Sequence, residues 1–381
     1  MDVPSYDVVR RLIDLYGTAY RELSDVRTRT RLADCGRLLI FGAGQNGRMV
    51  LGLLRAAGLE PAAFLDDTPS KAGAQIDGVP VLKVDEAGGM TDALAVVSIF
   101  SPRVGYLTIA ERLSKLGVEP LSLFAVMWAL GNAGLPFYFL DRPEAVTEAS
   151  GSLAWLSARL LDRQSHDLLA AQVEFRLALR HQALPPWRAD REAPPADWSR
   201  VFVIDAGAFD GDTLVPMLEA DGPRIAGAIG LEPDPETFAR LEANLAPFHG
   251  RVPAVRAIRA AAADAAGRRT FANAGNPGSS FAEAGIEVDA VTVDDLAADA
   301  PADARLYIKY DVEGAEAEAL RGSARTIADR RPFLSIAAYH RPDDLWTLAR
   351  IVAEIEPGYR FRLRSHGADG ADLNLYATPP G

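Results

Sequence analysis

In Val201-Phe202-Val203-Ile204-Asp205-Ala206-Gly207-Ala208-Phe209-Asp210-Gly211-Asp212-Thr213 an unbroken apolar run meets an acid and then a glycine-spaced turn. A run of this kind fits a strand buried on both faces, and the glycines permit a tight turn into a helix. The next apolar run closes in Gly230-Leu231-Glu232-Pro233-Asp234, placing a second acid about 25 residues beyond Gly207. Outward from there, seven strand candidates (201–204, 225–231, 255–262, 306–310, 333–338, 359–363 and 373–377) alternate with helical patterns until the last two, which only a short turn separates. This predicts a largely parallel sheet covered by helices and ending in an antiparallel hairpin.

The front of the chain repeats the pattern. Strand signals at 37–41, 62–65 and 95–100 alternate with helical ones at 46–57 and 106–116, behind one or two helices over 5–34. Gly42-Ala43-Gly44-Gln45-Asn46-Gly47 follows the first of these strands, and Asp66 closes the second, again about 25 residues after the first glycine. Between 126 and 198 strand signals vanish; helical patterns at 153–161 and 165–179 give way to a proline-rich, charged linker at 185–195. The apolar stretch 121–140 is broken by Gly131, Gly134 and Pro136 and reads as buried linker rather than a membrane span. The expected class is α/β, with N-terminal helices over 1–35, a Rossmann-like nucleotide-binding-type domain over 36–125, a helical connector over 126–198 and a second doubly wound module over 199–381.

With 381 residues, 49% hydrophobic and 24% charged, the chain is long enough for two or three cored domains. Forty Lys and Arg against fifty-two Asp and Glu give −12, a surface that repels nucleic acid and anionic membranes. The lone Cys35 excludes an internal disulfide, and with five scattered histidines there is no Cys/His zinc cluster. Met1-Asp2-Val3-Pro4 lacks the basic and apolar regions of a signal peptide, so the expectation is a soluble, cytoplasmic protein.

The two glycine loops differ in chemistry. The spacing of Gly42, Gly44 and Gly47 with Asp66 suits a dinucleotide or nucleotide sugar, with amides toward phosphate and the acid toward ribose; the same glycines would equally let helix pack on strand without any ligand. No Tyr-x-x-x-Lys pair follows for hydride transfer. In the second loop Asp205, Asp210 and Asp212 oppose a diphosphate but suit a cation such as S-adenosylmethionine (SAM), which carries a sulfonium and an ammonium. Gly207 would admit its backbone-hugging portion and Glu232 its ribose hydroxyls, while Asp210 and Asp212 could alternatively cap the following helix. At the end of a later strand, Asp311 and Glu313 could hold the donor ammonium, orient an acceptor hydroxyl or share a divalent cation. His340 comes to the same edge, where an imidazole of ordinary pKa would serve as general base or, alternatively, fill a hydrogen-bonding role; the other four histidines fall on helices or loops and are expected to be solvated.

Asp205–Thr213, Gly230–Asp234, Lys309–Glu316 with Leu320 and Gly322, Tyr339–Trp346 and Leu373–Ala377 together resemble the FkbM-type family of SAM-dependent methyltransferases, in its long form with an N-terminal Rossmann-like domain. The resemblance implies a seven-stranded class I methyltransferase fold for the second module and methyl transfer, usually to a hydroxyl oxygen on sugars, polysaccharide precursors or other secondary metabolites. Carried over by position, Asp205, Gly207, Asp210, Thr213, Glu232 and Asp311 would bind the donor, with Asp311 or His340 taking the acceptor proton. Tyr310 departs from the aliphatic residue or methionine usual before that Asp. The rival reading is an NAD(P)-dependent enzyme or binding protein using the first loop on a nucleotide sugar. The expected partner is a small-molecule or carbohydrate acceptor, and the helices of 1–34 and 150–180 could serve a homodimer.

Overall fold

The computed structural model describes residues 7–188, 191–271 and 286–380; the start of the chain at 1–6 and positions 189–190 of the expected linker lie outside the described residues. Two compact units emerge: Met1–Ala154 with His166–Ala189 and Ser365–Asp372, and Trp155–Ser165 with Asp190–Arg364 and Leu373–Gly381. The linear boundaries drawn from composition therefore do not coincide with these units. The stretch 126–198 divides between them, and Ser365–Asp372, from the end of the penultimate strand to the start of the last, belongs to the first.

The first unit opens with α1 (Asp7–Leu15) and α2 (Thr18–Asp34) and continues through β1 (Arg37–Phe41), α3 (Gln45–Ala56), β2 (Ala63–Leu65), β3 (Gln75–Ile76), β4 (Val79–Leu82), β5 (Ala93–Val97), α4 (Tyr106–Lys115), β6 (Glu119–Ser122), α5 (Leu123–Ala129) and α6 (Pro143–Glu148). The six strands lie in the order β3-β4-β2-β1-β5-β6, all parallel but for the β3–β4 hairpin. Leu39, Phe41, Ala63, Leu65, Ala95 and Val97 form its core with α4. The sequence reading missed β3, β4 and β6 because they are short and two of them contain proline, which blurs the apolar period. It also took 121–140 for linker, whereas its first part is α5, whose N-cap Ser122 accepts from the Phe124 amide at 3.3 Å. Beyond α7 (Ser150–Ser157), α8 (Arg163–Ala178) buries Phe175 and Leu177.

The second unit contains β7 (Val201–Ala206), α9 (Leu214–Asp221), β8 (Ile225–Leu231), α10 (Pro235–Leu245), β9 (Val255–Ile258), β10 (Ala260–Ala262), β11 (Gly267–Phe271), β12 (Ile286–Val291), α11 (Val293–Ala297), β13 (Arg305–Tyr310), α12 (Glu316–Arg321), α13 (Ala324–Arg330), β14 (Phe333–Ala337), α14 (Asp344–Ile355), β15 (Arg360–Ser365) and β16 (Leu373–Thr378). Its seven-stranded sheet has the order β15-β16-β14-β13-β7-β8-β9, and the last strand runs antiparallel beside β14. The expected single strand over 255–262 is in fact two. The chain breaks at Arg259, β9 completes the large sheet, and β10 joins β12 and β11 in a small sheet of three.

Register carries a polar row across the apolar sheet: Asp205 pairs with Lys309, Lys309 with Ser335 and Ser335 with Tyr376, so all four side chains share one face. The row lies near the carboxyl ends of the central strands, the edge where open α/β sheets take ligands.

In the first unit, Gly47 shows what the glycine loop does for packing. A Cβ there would stand 2.0 Å from the Gly42 carbonyl oxygen. Gly47→Ala should therefore lower the unfolding free energy by roughly 1–3 kcal/mol, measured by chemical denaturation, because backbone rather than a flexible side chain must give way.

Candidate active site

The chain after β7 and the chain after β13 cross in contact. Gly207 has φ +84°, and a Cβ on it would lie 1.9 Å from the Asp311 carbonyl oxygen. Only glycine meets both demands. Beneath this crossing Lys309 is almost wholly buried, its Nζ donating to Asp205 Oδ1 at 2.9 Å and to the Gly207 carbonyl at 3.0 Å, with Asp311 Oδ2 at 3.6 Å. Burial alone would lower the Lys309 pKa, but Asp205, Asp311 and Asp212 outweigh it and hold the ammonium above its ordinary value. Burial lifts the Asp205 carboxyl to about 6 against the pull of Lys309. Asp311 also resists ionisation through burial, but Lys309 and His340 overcome this and keep it below the usual carboxylate range.

The other expected donor-site residues gather at the same strand ends. Glu232 follows β8, buried, with Oε1 accepting from the Asp234 amide at 2.9 Å; burial pushes its carboxyl to about 7, partly offset by the Asp234 and Phe209 amides. Asp234 caps α10 through the Thr237 amide at 2.8 Å. Asp210 is half-buried, its carbonyl held by Asn244 Nδ2 at 2.8 Å. Thr213 occupies the N-cap position of α9 and its side chain makes no capping bond, so neither Asp210 nor Asp212 caps that helix. Asp205 Oδ2 and Asp234 Oδ2 are buried and accept no hydrogen bond. Orphaned acceptors in an acidic, glycine-floored edge fit a ligand bearing a cation and hydroxyl donors, as S-adenosylmethionine does.

The turn after β13 is built around a residue that sequence reasoning passed over. Glu316, fully buried at the start of α12, accepts from the Val312 amide at 2.8 Å, the Gly314 amide at 3.0 Å and His340 Nδ1 at 2.8 Å. It thereby fixes a turn in which Glu313 adopts φ +54°, a conformation that costs a non-glycine residue energy. His340 Nε2 faces Glu313 Oε2 at 3.3 Å and Asp311 Oδ1 at 3.6 Å. Burial would lower the His340 pKa, yet Glu316, then Glu313 and Asp311, raise it to about 10.

One expectation changes as a result. A histidine already protonated at neutral pH cannot act as the general base, and His340 instead supplies the positive charge between three carboxylates. Where a divalent cation is expected at Asp311 and Glu313, the side chains of Asp311, Glu316 and His340 can bring ligand atoms within 4.8 Å of one another, and here Glu316 accepts from three N–H donors.

The first glycine loop is differently occupied. Asp66 Oδ2 accepts from the Ala43 amide at 2.8 Å and from Lys71 Nζ at 3.0 Å, and Oδ1 accepts from the Thr68 amide at 2.8 Å. These bonds overcome burial and hold the carboxyl at about 2. The acid expected to take ribose hydroxyls is thus spent pinning its own loop, with Gly42 and Gly47 in tight packing and Gly44 alone exposed over open space. The remaining histidines also depart from expectation: His166, His181 and His366 are buried, and His181 stacks on Tyr106 with centroids 4.3 Å apart. Tyr310 belongs to the core, its hydroxyl donating to Ser323 Oγ at 2.6 Å.

A seven-stranded sheet with an antiparallel final strand, and an acidic glycine crossing at its carboxyl edge, fit a methyltransferase of the SAM-dependent class. Residues 205–363 match the family model described as the methyltransferase FkbM domain. Among solved structures, methyltransferase FkbM from Methylobacillus flagellatus KT is 22% identical with a TM-score of 0.73, covering 99% of this chain and 100% of that one. Precorrin-6y C5,15-methyltransferase from Geobacter metallireducens GS-15 is 13% identical with a TM-score of 0.30, covering 49% of this chain and 83% of that one. No curated protein matches the chain. Among the described residues, no helix is long and apolar enough to cross a membrane.

The His340 cluster makes a pH prediction. A group whose folded pKa is raised from 6.5 to about 10 contributes stability that is fully present below 6.5 and is lost as pH rises through about 10. Denaturation midpoints of the wild type should fall across that window, and His340→Gln should flatten the fall. Removing the imidazolium from its buried carboxylates should cost roughly 3–5 kcal/mol near neutral pH.

Proposed function

We propose that this enzyme transfers a methyl group from S-adenosylmethionine to a hydroxyl oxygen on a sugar, a polysaccharide precursor or another secondary metabolite. The observation that carries this reading is the pair of neighbouring carboxylates, Glu313 and Asp311, at the mouth of the turn after β13, one of them poised to take a proton near neutral pH. When bound, S-adenosylmethionine supplies a methyl carbon on a sulfonium, a leaving group that needs no acid. Asp205 and Asp311 would face its ammonium, Gly207 and Asp210 would line its backbone-hugging portion beside Thr213, and Glu232 would accept from its ribose hydroxyls.

Glu313 then takes the role first expected of His340 or Asp311. Its side chain is 20% exposed, and burial, opposed by His340, raises its carboxyl to about 7. It would accept the proton that the acceptor hydroxyl gives up on methylation. Asp311, held ionised by Lys309, is the weaker base of the two and is better suited to orienting charge.

The test is incubation of the protein with methyl-labelled S-adenosylmethionine and with carbohydrate, lipid and peptide fractions of cells lacking the gene. Label is expected in a base-stable ether on the carbohydrate or small-molecule fraction, at a rate that rises with pH through about 7. Glu313→Gln should slow transfer by roughly 10²–10⁴-fold. Label confined to peptide or lipid, or none in any fraction, would contradict the proposal.

A further inference from the structure

α2 is turned the opposite way from an ordinary surface helix. Its inner face, through Thr28 and Leu32, docks largely by polar contacts: Arg21 pairs with Glu144 at 2.7 Å, Arg29 donates to the Ala129 carbonyl at 3.0 Å and Arg31 to the Pro120 carbonyl at 3.3 Å. Its outer face carries the apolar residues. Leu23 is 73% exposed, Val26 52% and Tyr20 39%. Of the nine large apolar side chains exposed among the described residues, five lie on α1 and α2. A helix that docks through polar contacts and Leu32 while leaving Leu23 and Val26 outward presents a surface for a partner.

The charges flanking this stripe indicate which partner. At 100° per residue, Leu23 and Val26 lie about 60° apart, with Glu22 and Arg27 about 70° to either side of the stripe's centre. Glu22 and Arg27 are both exposed, and among the described residues neither side chain makes a hydrogen bond or ion pair. An apolar pair three residues apart, bracketed by an acid on one flank and a base five residues later on the other, is the arrangement of a parallel two-stranded seam. There the flanking acid of one helix meets the flanking base of the other. Ala19 and Thr30, both exposed, continue the seam one step each way. In an antiparallel pairing like flanks face each other, so Glu22 of one copy would not meet Arg27 of the other.

We propose that two copies of this chain associate through parallel α2 helices, with Leu23 and Val26 in the seam and Glu22 of each copy paired with Arg27 of the other. The complementarity is to itself, since one helix supplies both the acid and the base, so a second copy is the occupant that satisfies both flanks at once.

Sedimentation equilibrium on the full chain tests this. The wild type should be a dimer, and Leu23→Glu should raise the dimer Kd by roughly tenfold or more. Glu22→Arg should also weaken the dimer, and the double swap Glu22→Arg with Arg27→Glu should restore it. Leu23 is too exposed for its replacement to unfold the chain, and circular dichroism checks that. A wild type that stays monomeric up to about 0.1 mM overturns the proposal. So does a dimer indifferent to Leu23→Glu, or a double swap no tighter than the single one.

Discussion

The Lys309 ammonium lies under the point where two loops touch, bonded to the Asp205 carboxylate of one strand and to the Gly207 carbonyl that follows it. Without a cation there, Asp205 and Asp311 would be two acids in a poorly solvated crevice, each pushed towards its neutral form. With it, Asp311 stays ionised and Asp205 keeps one oxygen bonded and one free. The close approach of Gly207 to the Asp311 carbonyl is possible because Gly207 carries no Cβ. The rest of the site hangs from that crossing: the turn after β13 begins at Asp311, and Glu316 and His340 complete it.

The same device appears twice within the second unit. Lys309 neutralises one group of acids and the His340 imidazolium another, so the strand edge contains two built-in cations among its carboxylates. This refines the meaning of the −12 net charge. Counted from sequence, the acids at this edge look like an excess of negative charge awaiting a metal or a cationic ligand. In the fold much of that charge is already balanced, and what remains are oriented oxygens without donors on Asp205 and Asp234 and a carboxyl near neutrality on Glu313.

What could be read from the sequence was whatever is local in the chain. The apolar run ending at Asp205, the glycine after it and the acid at Glu232 signal themselves within a few residues, and they lie at the strand ends as expected. Strands β1 and β13 were legible for the same reason, and β10 lay within the expected strand over 255–262; β11 gives no alternation in Gly-Arg-Arg-Thr-Phe, and β12 was passed over although Ile286–Val291 alternates apolar and polar residues. Lys309 was overlooked because its partner is 104 residues away and a lone lysine in an apolar strand looks like an outward-facing accident. Glu316 read as an ordinary first-turn acid, since only the backbone path of the turn brings two amides onto it. For His340 the place was legible but the charge was not, being set by Asp311, Glu313 and Glu316 from a different strand and turn. Asp66 fitted a nucleotide motif by spacing, yet its bond to the Ala43 amide closes the loop upon itself.

If the Lys309 crossing builds the methyl-donor site, removing its charge must weaken binding of the donor. Calorimetric titration of S-adenosylmethionine into wild type, Lys309→Arg and Lys309→Met tests it most directly, with NADH as the control ligand. The wild type should bind S-adenosylmethionine and not NADH. Lys309→Met should remain folded in its first unit and lose affinity by roughly 10-fold or more, the loss expected when a buried charge pair is broken, while Lys309→Arg retains part of it. Binding of S-adenosylmethionine to Lys309→Met with wild-type affinity, or binding of NADH in its place, would contradict it.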